Sequence, residues 1–198
     1  MFINNFKGVV KLKRNEFKYI LNLELYSDIK RGFFKKLILK YLNPSTNAVY
    51  LIRRFQFFNE SKYFKLISFC YQFSLAKKYG IFISKTTEIQ CGLHLPHPNG
   101  IVLGSAVKIG KNCTIYQQVT VGSKRVGDSK KNLQPIIKEN VYLFSGSKVI
   151  GDIVLECNTH VAANAVLTTS TEAFGTYAGI PAKLVSINDY TVSRNEKQ

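Results

Sequence analysis

Residues 137–167 read IKENVYLFSGSKVIGDIVLECNTHVAANAVL. An aliphatic residue returns every six positions: Ile137, Leu143, Val149, Leu155, Val161 and Leu167. Four residues after each of the first five stands a small or β-branched residue: Val141, Ser147, Ile153, Thr159 and Ala165. A period of six fits neither an α-helix at about 3.6 residues per turn nor a lone hairpin. It fits a solenoid in which each hexapeptide supplies one short flat face and its aliphatic residue fills the interior. Upstream the same rhythm gives Leu103, Ile109, Ile115 and Val121, with Val107, Cys113 and Val119 in the second slot.

The rhythm breaks once, between Val121 and Ile137. The intervening Ser123-Lys124-Arg125-Val126-Gly127-Asp128-Ser129-Lys130-Lys131-Asn132 is polar and reads as an extruded loop, placed at 123–135. Long loops on a regular scaffold are more often functional than accidental.

Residues 1–80 have another composition. They hold 18 of the 25 aromatics but 3 of the 13 glycines, which marks a change of architecture near Gly80. Phe17, Ile20, Leu21 and Leu25 form one helical stripe, and Phe33, Phe34, Leu37, Leu39 and Leu42 thicken another. Asn43-Pro44-Ser45-Thr46 is a break at which Ser45 or Thr46 caps the next helix. Val49–Phe58 and Tyr63–Lys78 read as two more helices. The expected organisation is a helical cap over 1–80, a solenoid over 81–186 and a tail over 187–198.

The chain is 198 residues long, with 45% apolar and 20% charged residues, enough for a core and too apolar for intrinsic disorder. No run approaches 18 consecutive apolar residues, and the N-terminus lacks the pattern of a secretory signal. Four dispersed cysteines without a CxxC pair fit reduced thiols and a cytoplasmic chain. The net charge is +16, of which residues 1–80 carry +12. Such a balance favours anionic partners: acidic lipid, nucleic acid or a phosphorylated small molecule. The pairs Lys35-Lys36, Arg53-Arg54 and Lys77-Lys78 are either solvated helix faces or contacts to the inner face of a membrane. No zinc finger, RNP motif or basic-aromatic platform supports nucleic-acid binding.

His97-Pro98-Asn99-Gly100-Ile101-Val102-Leu103-Gly104 is followed by Ile109-Gly110-Lys111-Asn112, by Gln118-Val119-Thr120-Val121-Gly122 and by Ala178-Gly179-Ile180-Pro181-Ala182-Lys183. On these four blocks the chain resembles the hexapeptide-repeat acyltransferases, whose fold is a left-handed parallel β-helix, and among them the serine O-acetyltransferases. The resemblance covers about residues 82–186. The helical cap is similar to the shortened cap of members from surface-polysaccharide clusters.

The resemblance implies a mainly β fold, a homotrimer and acetyl transfer from acetyl-CoA to a hydroxyl, with no metal. It makes His97 the general base. A hydroxyl is a poor nucleophile until a base takes its proton, and imidazole, titrating near about 6.5, is suited to that task. The matching acceptor side holds His94, Asn99 and Gln134. CoA would lie along Gly122, Ser145 and Ala163, with Lys183 near its phosphates. Cys91, His94 and His97 do not read as a metal site, because Pro96 and Pro98 break any helix and no fourth ligand is near.

Against the serine enzymes the chain departs in three places. Pro96 stands where they carry an aspartate before the histidine, Leu133-Gln134-Pro135 matches their Arg-His-Pro, and Phe82 takes the place of the carboxylate that orients the base. An amino-acid acceptor carries an ammonium and a carboxylate that want charged partners, whereas Gln134 suits a neutral polyol. The expected acceptor is therefore a sugar hydroxyl in surface-polysaccharide synthesis. L-Serine, for cysteine synthesis, is the alternative, and a non-catalytic binding solenoid is a second one.

Overall fold

A computed structural model describes residues 14–26, 41–125, 127–131 and 133–187. The hexapeptides become short strands in three parallel sheets, the three sides of a prism. The first sheet stacks β1 (Phe82–Ile83), β3 (Val102–Leu103), β6 (Thr120–Gly122), β9 (Lys148–Ile150) and β12 (Val166–Leu167). The second stacks β2 (Glu88–Ile89), β4 (Lys108–Ile109), β7 (Ile136–Ile137) and β10 (Val154–Leu155). The third stacks β5 (Thr114–Ile115), β8 (Tyr142–Leu143), β11 (His160–Val161) and β13 (Gly175–Gly179). An antiparallel strand, β14 (Ala182–Ile187), pairs with β13 and closes that end.

The six-residue slots point inward. Ile109, Ile115, Val121, Ile137, Leu143, Val149, Leu155, Val161 and Leu167 are all completely buried. The second-slot residues Val107, Val119, Val141, Ser147, Thr159 and Ala165 are buried beside them. Between strands the chain turns a corner through one left-handed residue. Asn112, Asn140 and Asn158 serve at one corner, and Gly100, Gln118, Gly146 and Asn164 at another. Asparagine and glycine tolerate that conformation best, which is why they recur at coil spacing.

Register shows where the coil is irregular. Thr114 pairs with the level of His94 and Val102 with that of Phe82, so the first coil spans 20 residues, while Val102 to Thr120 spans 18. From Lys108 to Ile136 the step grows to 28, and the extra residues form the loop, which contains a 3-10 turn at Asp128–Lys131.

Among the described residues, α1 (Arg14–Tyr26), α2 (Pro44–Asn59) and α3 (Lys65–Tyr79) precede the solenoid, the last preceded by a 3-10 turn at Lys62–Phe64. The expected cap of α2 moves upstream. Asn43, not Ser45 or Thr46, is the N-cap: its side chain accepts from the Thr46 amide at 3.2 Å, and Pro44 fills the first turn. Helix α3 ends at Gly80, whose φ of 61° suits a residue without Cβ. Ala48, Ile52, Phe55, Leu75 and Tyr79 share one core with Ile81, Ile83 and the solenoid interior. The stripe from Phe33 to Leu39 and the pair Lys35-Lys36 lie outside the described residues.

The Arg53-Arg54 pair is not a surface contact. Arg53 is 1% exposed and ion-paired with Glu24. The Arg54 guanidinium lies over the rings of Phe58, Tyr71, Tyr50 and Phe17 at 4.9–6.0 Å. Lys77 and Lys78 are exposed, and Lys78 donates to Asn47 at 2.8 Å.

Cys113 occupies an inward slot, where its thiol points at the carbonyls of Lys138 (3.1 Å) and Lys111 (3.7 Å). Burial pushes the thiol up to about 12. At pH 8 an alkylating reagent should modify exposed Cys70 and leave Cys113 untouched until the protein unfolds. Peptide mass spectrometry reads both sites, and rapid native labelling of Cys113 would contradict the packing.

Candidate active site

The coil that carries His97 is two residues longer than the next at one corner. Pro96 lies level with Tyr116, and Asn99 lies level with Gln117, whose neighbour Gln118 donates its amide to the Asn99 carbonyl at 2.8 Å. His97 and Pro98 are the two additional residues. The insertion lifts His97 out of the coil, where it is exposed. Prolines on both sides restrict the backbone, and the Asn99 amide donates to the His97 carbonyl at 2.9 Å. The imidazole faces Tyr116, with ring centroids 6.2 Å apart and planes tilted by 50°.

The same corner continues through Gln117, Ser145 and Ala163 in successive coils. The Gly146 amide donates to Gln117 O (2.9 Å) and the Asn164 amide to Ser145 O (2.8 Å). The structure therefore aligns His97, Asn99, Ser145 and Ala163 along one edge. Ser145 is half-buried and Ala163 exposed, so a ligand can reach the backbone along this edge. Lys183 is exposed on β14, at the far end of the third sheet. His94 is exposed on that sheet's first row, beside Thr114.

Gln134 and Gly122 stand elsewhere. They lie at the other end of the first sheet's strands, where the loop leaves and rejoins the coil. Gln134 is 2% exposed, yet neither its amide oxygen nor its amide nitrogen has a hydrogen-bond partner among the described residues. Its oxygen lies close over Gly104. A Cβ on Gly122 would meet nothing within 4 Å. One chain alone thus does not bring Gln134 to His97.

Phe82, where the resemblance would place a carboxylate, is 58% exposed on the first sheet and offers no hydrogen bond to an imidazole. Two features of the site are not marked by the six-residue spacing. Gln117 has a buried amide oxygen without a partner among the described residues. A group of aromatic rings surrounds Tyr116, and within it Tyr142 and His160 recur one 18-residue coil apart, a signal that could have found that part of the group.

No family model matches the chain. A serine acetyltransferase of Staphylococcus epidermidis is 39% identical over 106 residues, covering 54% of this chain and 49% of that protein. One of Staphylococcus aureus is 35% identical over 115 residues, covering 58% and 53%. The chain thus spans about half the length of the curated relatives it matches. Among solved structures, the Brucella abortus serine acetyltransferase superposes with a TM-score of 0.75 at 22% identity, over 90% of this chain and 73% of that one. The Neisseria gonorrhoeae enzyme, in complex with serine, gives 0.72 at 23% identity over 89% and 72%. A serine acetyltransferase in complex with CoA gives 0.70 at 19% over 87% and 71%. Over about half its length the chain is similar in sequence to serine acetyltransferases, and its left-handed hexapeptide-repeat β-helix is the fold of the solved ones.

Proposed function

We propose that the protein is an acetyl-CoA-dependent O-acetyltransferase with His97 as general base. The observation that carries this reading is the two-residue insertion that lifts an exposed imidazole above an edge lined by Asn99, Ser145 and Ala163. In the proposed reaction the imidazole takes the proton of the acceptor hydroxyl. The oxygen attacks the thioester carbonyl, the C–S bond breaks, and the proton passes to the departing thiolate. The oxyanion formed on the way needs a hydrogen-bond donor. CoA would run along the Ser145–Ala163 edge towards Lys183, with Gly122 of a neighbouring copy opposite.

We also propose a homotrimer. His97 and Gln134 sit at opposite ends of one sheet's strands, so the site is incomplete until a second copy brings its Gln134 to this His97. Exposed apolar surface on that sheet supports copy-to-copy contact: Phe82 and Val102, with Phe69 and Phe73 of α3, line an apolar cleft of about 350 Å³. Light scattering behind size exclusion tests the mass.

L-Serine, the alternative acceptor, is better supported by the relatives than the sugar reading is. The sugar reading rests on this chain's own Phe82 and uncharged Gln134. A cytoplasmic location agrees with four free cysteines. Among the described basic pairs, contact with a membrane face would fall to exposed Lys77, since Arg53 and Arg54 are engaged and Lys78 donates to Asn47. Thiol release from acetyl-CoA, with L-serine and then nucleotide sugars and oligosaccharides as acceptors, tests the activity. A thermal shift with CoA tests carrier binding, and absence of both would leave a non-catalytic solenoid.

A further inference from the structure

The outward face of the third sheet carries two neighbouring columns. His94, Thr114, Tyr142 and His160 stack in one, and Pro96, Tyr116, Phe144 and Ala162 in the next. Their rings form a connected group. Tyr116 and Phe144 stack with centroids 5.3 Å apart, Tyr142 and Phe144 at 6.3 Å, and His160 meets Tyr142 edge-on at 4.9 Å. His97 joins at the Tyr116 end.

The solenoid does not need these rings, because its inward slots are aliphatic and already completely buried. The outward positions of the first sheet carry Val102, Thr120, Lys148 and Val166, and those of the second Glu88, Lys108, Ile136 and Val154. Beyond the first coil, the aromatic strip is confined to the side that meets His97, and Tyr142, Tyr116 and Phe144 remain partly exposed.

Three neighbouring groups bear on what would lie there. At the corner next to Tyr116, the buried amide oxygen of Gln117 lacks a donor among the described residues. Lys148, the ammonium that reaches this corner, is held by the Gln118 carbonyl at 2.6 Å. Burial pushes the His160 imidazole below its usual range, which favours a neutral aromatic ring. The setting is therefore apolar and hydrogen-bonding. The two columns themselves carry neither a carboxylate nor an ammonium, whereas a free amino acid calls for a charged partner at each end.

We infer that Tyr116 and Phe144 form the acceptor platform, and that the acceptor is a neutral pyranoside. The C–H face of the sugar ring would lie on the aromatic pair, and one hydroxyl would reach His97. This inference rests on the O-acetyltransferase reading and names the acceptor class for the same site. The ring hydroxyl loses its proton to the imidazole and gains the acetyl group, and the proton leaves with the CoA thiol.

Saturation-transfer NMR of the full chain with methyl glucoside, galactoside and N-acetylglucosaminide tests the platform without requiring turnover. At least one pyranoside should show saturated ring C–H protons. Phe144→Leu and Tyr116→Leu keep apolar volume without the π-face and should each weaken that sugar roughly 10-fold. Their melting temperature and acetyl-CoA binding should stay at wild-type values, and Tyr116→Phe should bind like wild type. No saturation of any pyranoside would overturn the inference. So would an L-serine KM unaffected by either variant in an enzyme that turns serine over, or a rise in the acetyl-CoA KM in place of weaker sugar binding. The last two outcomes leave the O-acetyltransferase reading standing. Failure to bind CoA and to release thiol with any acceptor would instead remove that parent reading.

Discussion

Replacing His97 by alanine should lower acetyl transfer by about 10²–10⁴-fold, the range over which a positioned general base contributes. Binding of CoA should be unchanged. His97 stands on a two-residue insertion outside the stacked coils, so its removal takes no atom from the buried aliphatic column. The Ser145–Ala163 edge, where the carrier would lie, is held by backbone hydrogen bonds such as Asn164 N to Ser145 O at 2.8 Å, which the substitution does not touch. Thiol release measures the first quantity and calorimetry with CoA the second. Turnover within about fivefold of wild type would mean that another group takes the proton. Parallel loss of CoA affinity would mean that His97 holds the carrier.

How far the sequence could be read follows from what a six-residue period encodes. It encodes the direction of each side chain, so the inward slots from Ile109 to Leu167 were legible, as was the loop that interrupts them. It does not encode which residues stack on which, because that depends on inserted residues summed along the coil. The two residues at His97-Pro98 and the long loop shift the levels. Only the register shows that His97 shares an edge with Ser145 and Ala163, while Gln134 sits at the opposite end of the strands. The aromatic pair Tyr116–Phe144 was hidden for the same reason: the loop lengthens the step between the two stacked rings to 28 positions. In the helical region, local signals placed the helices that the structure describes but not their partners. Nothing near Arg53-Arg54 in the chain announces an acid 29 residues upstream.

That acid is the basis of the second large effect. The side chains of Arg53 and Glu24 are 1% and 0% exposed, and all five guanidinium donors are used. Nε and one terminal nitrogen go to the Glu24 carboxylate, with 2.8 Å at Oε2. The others reach Gln56 Oε1 (2.7 Å), Ile89 O (2.8 Å) and Gln90 O (2.6 Å). The carboxylate also accepts from the amides of Gly92 (2.7 Å) and Leu93 (3.1 Å). Helices α1 and α2 are thereby tied to the segment that runs on to His94 and His97. Removing one partner leaves the other charge buried without compensation, so Arg53→Met or Glu24→Gln should cost about 3–5 kcal/mol. At fixed protein concentration this corresponds to a melting point lower by roughly 10 °C for a chain of this size. The pair Glu24→Leu with Arg53→Met should cost clearly less than the sum of its two single changes, because neither charge is then stranded. The Gly92 and Leu93 amides would still lose their acceptor, so stability should not return fully. Urea unfolding of the wild type, Glu24→Leu, Arg53→Met and the pair measures the coupling. Additive losses, or single losses below about 0.5 kcal/mol, would mean that apolar packing alone docks the helices. Because Glu24 holds the chain five residues before His97, Glu24→Gln should also lower kcat more than it changes the KM for acetyl-CoA.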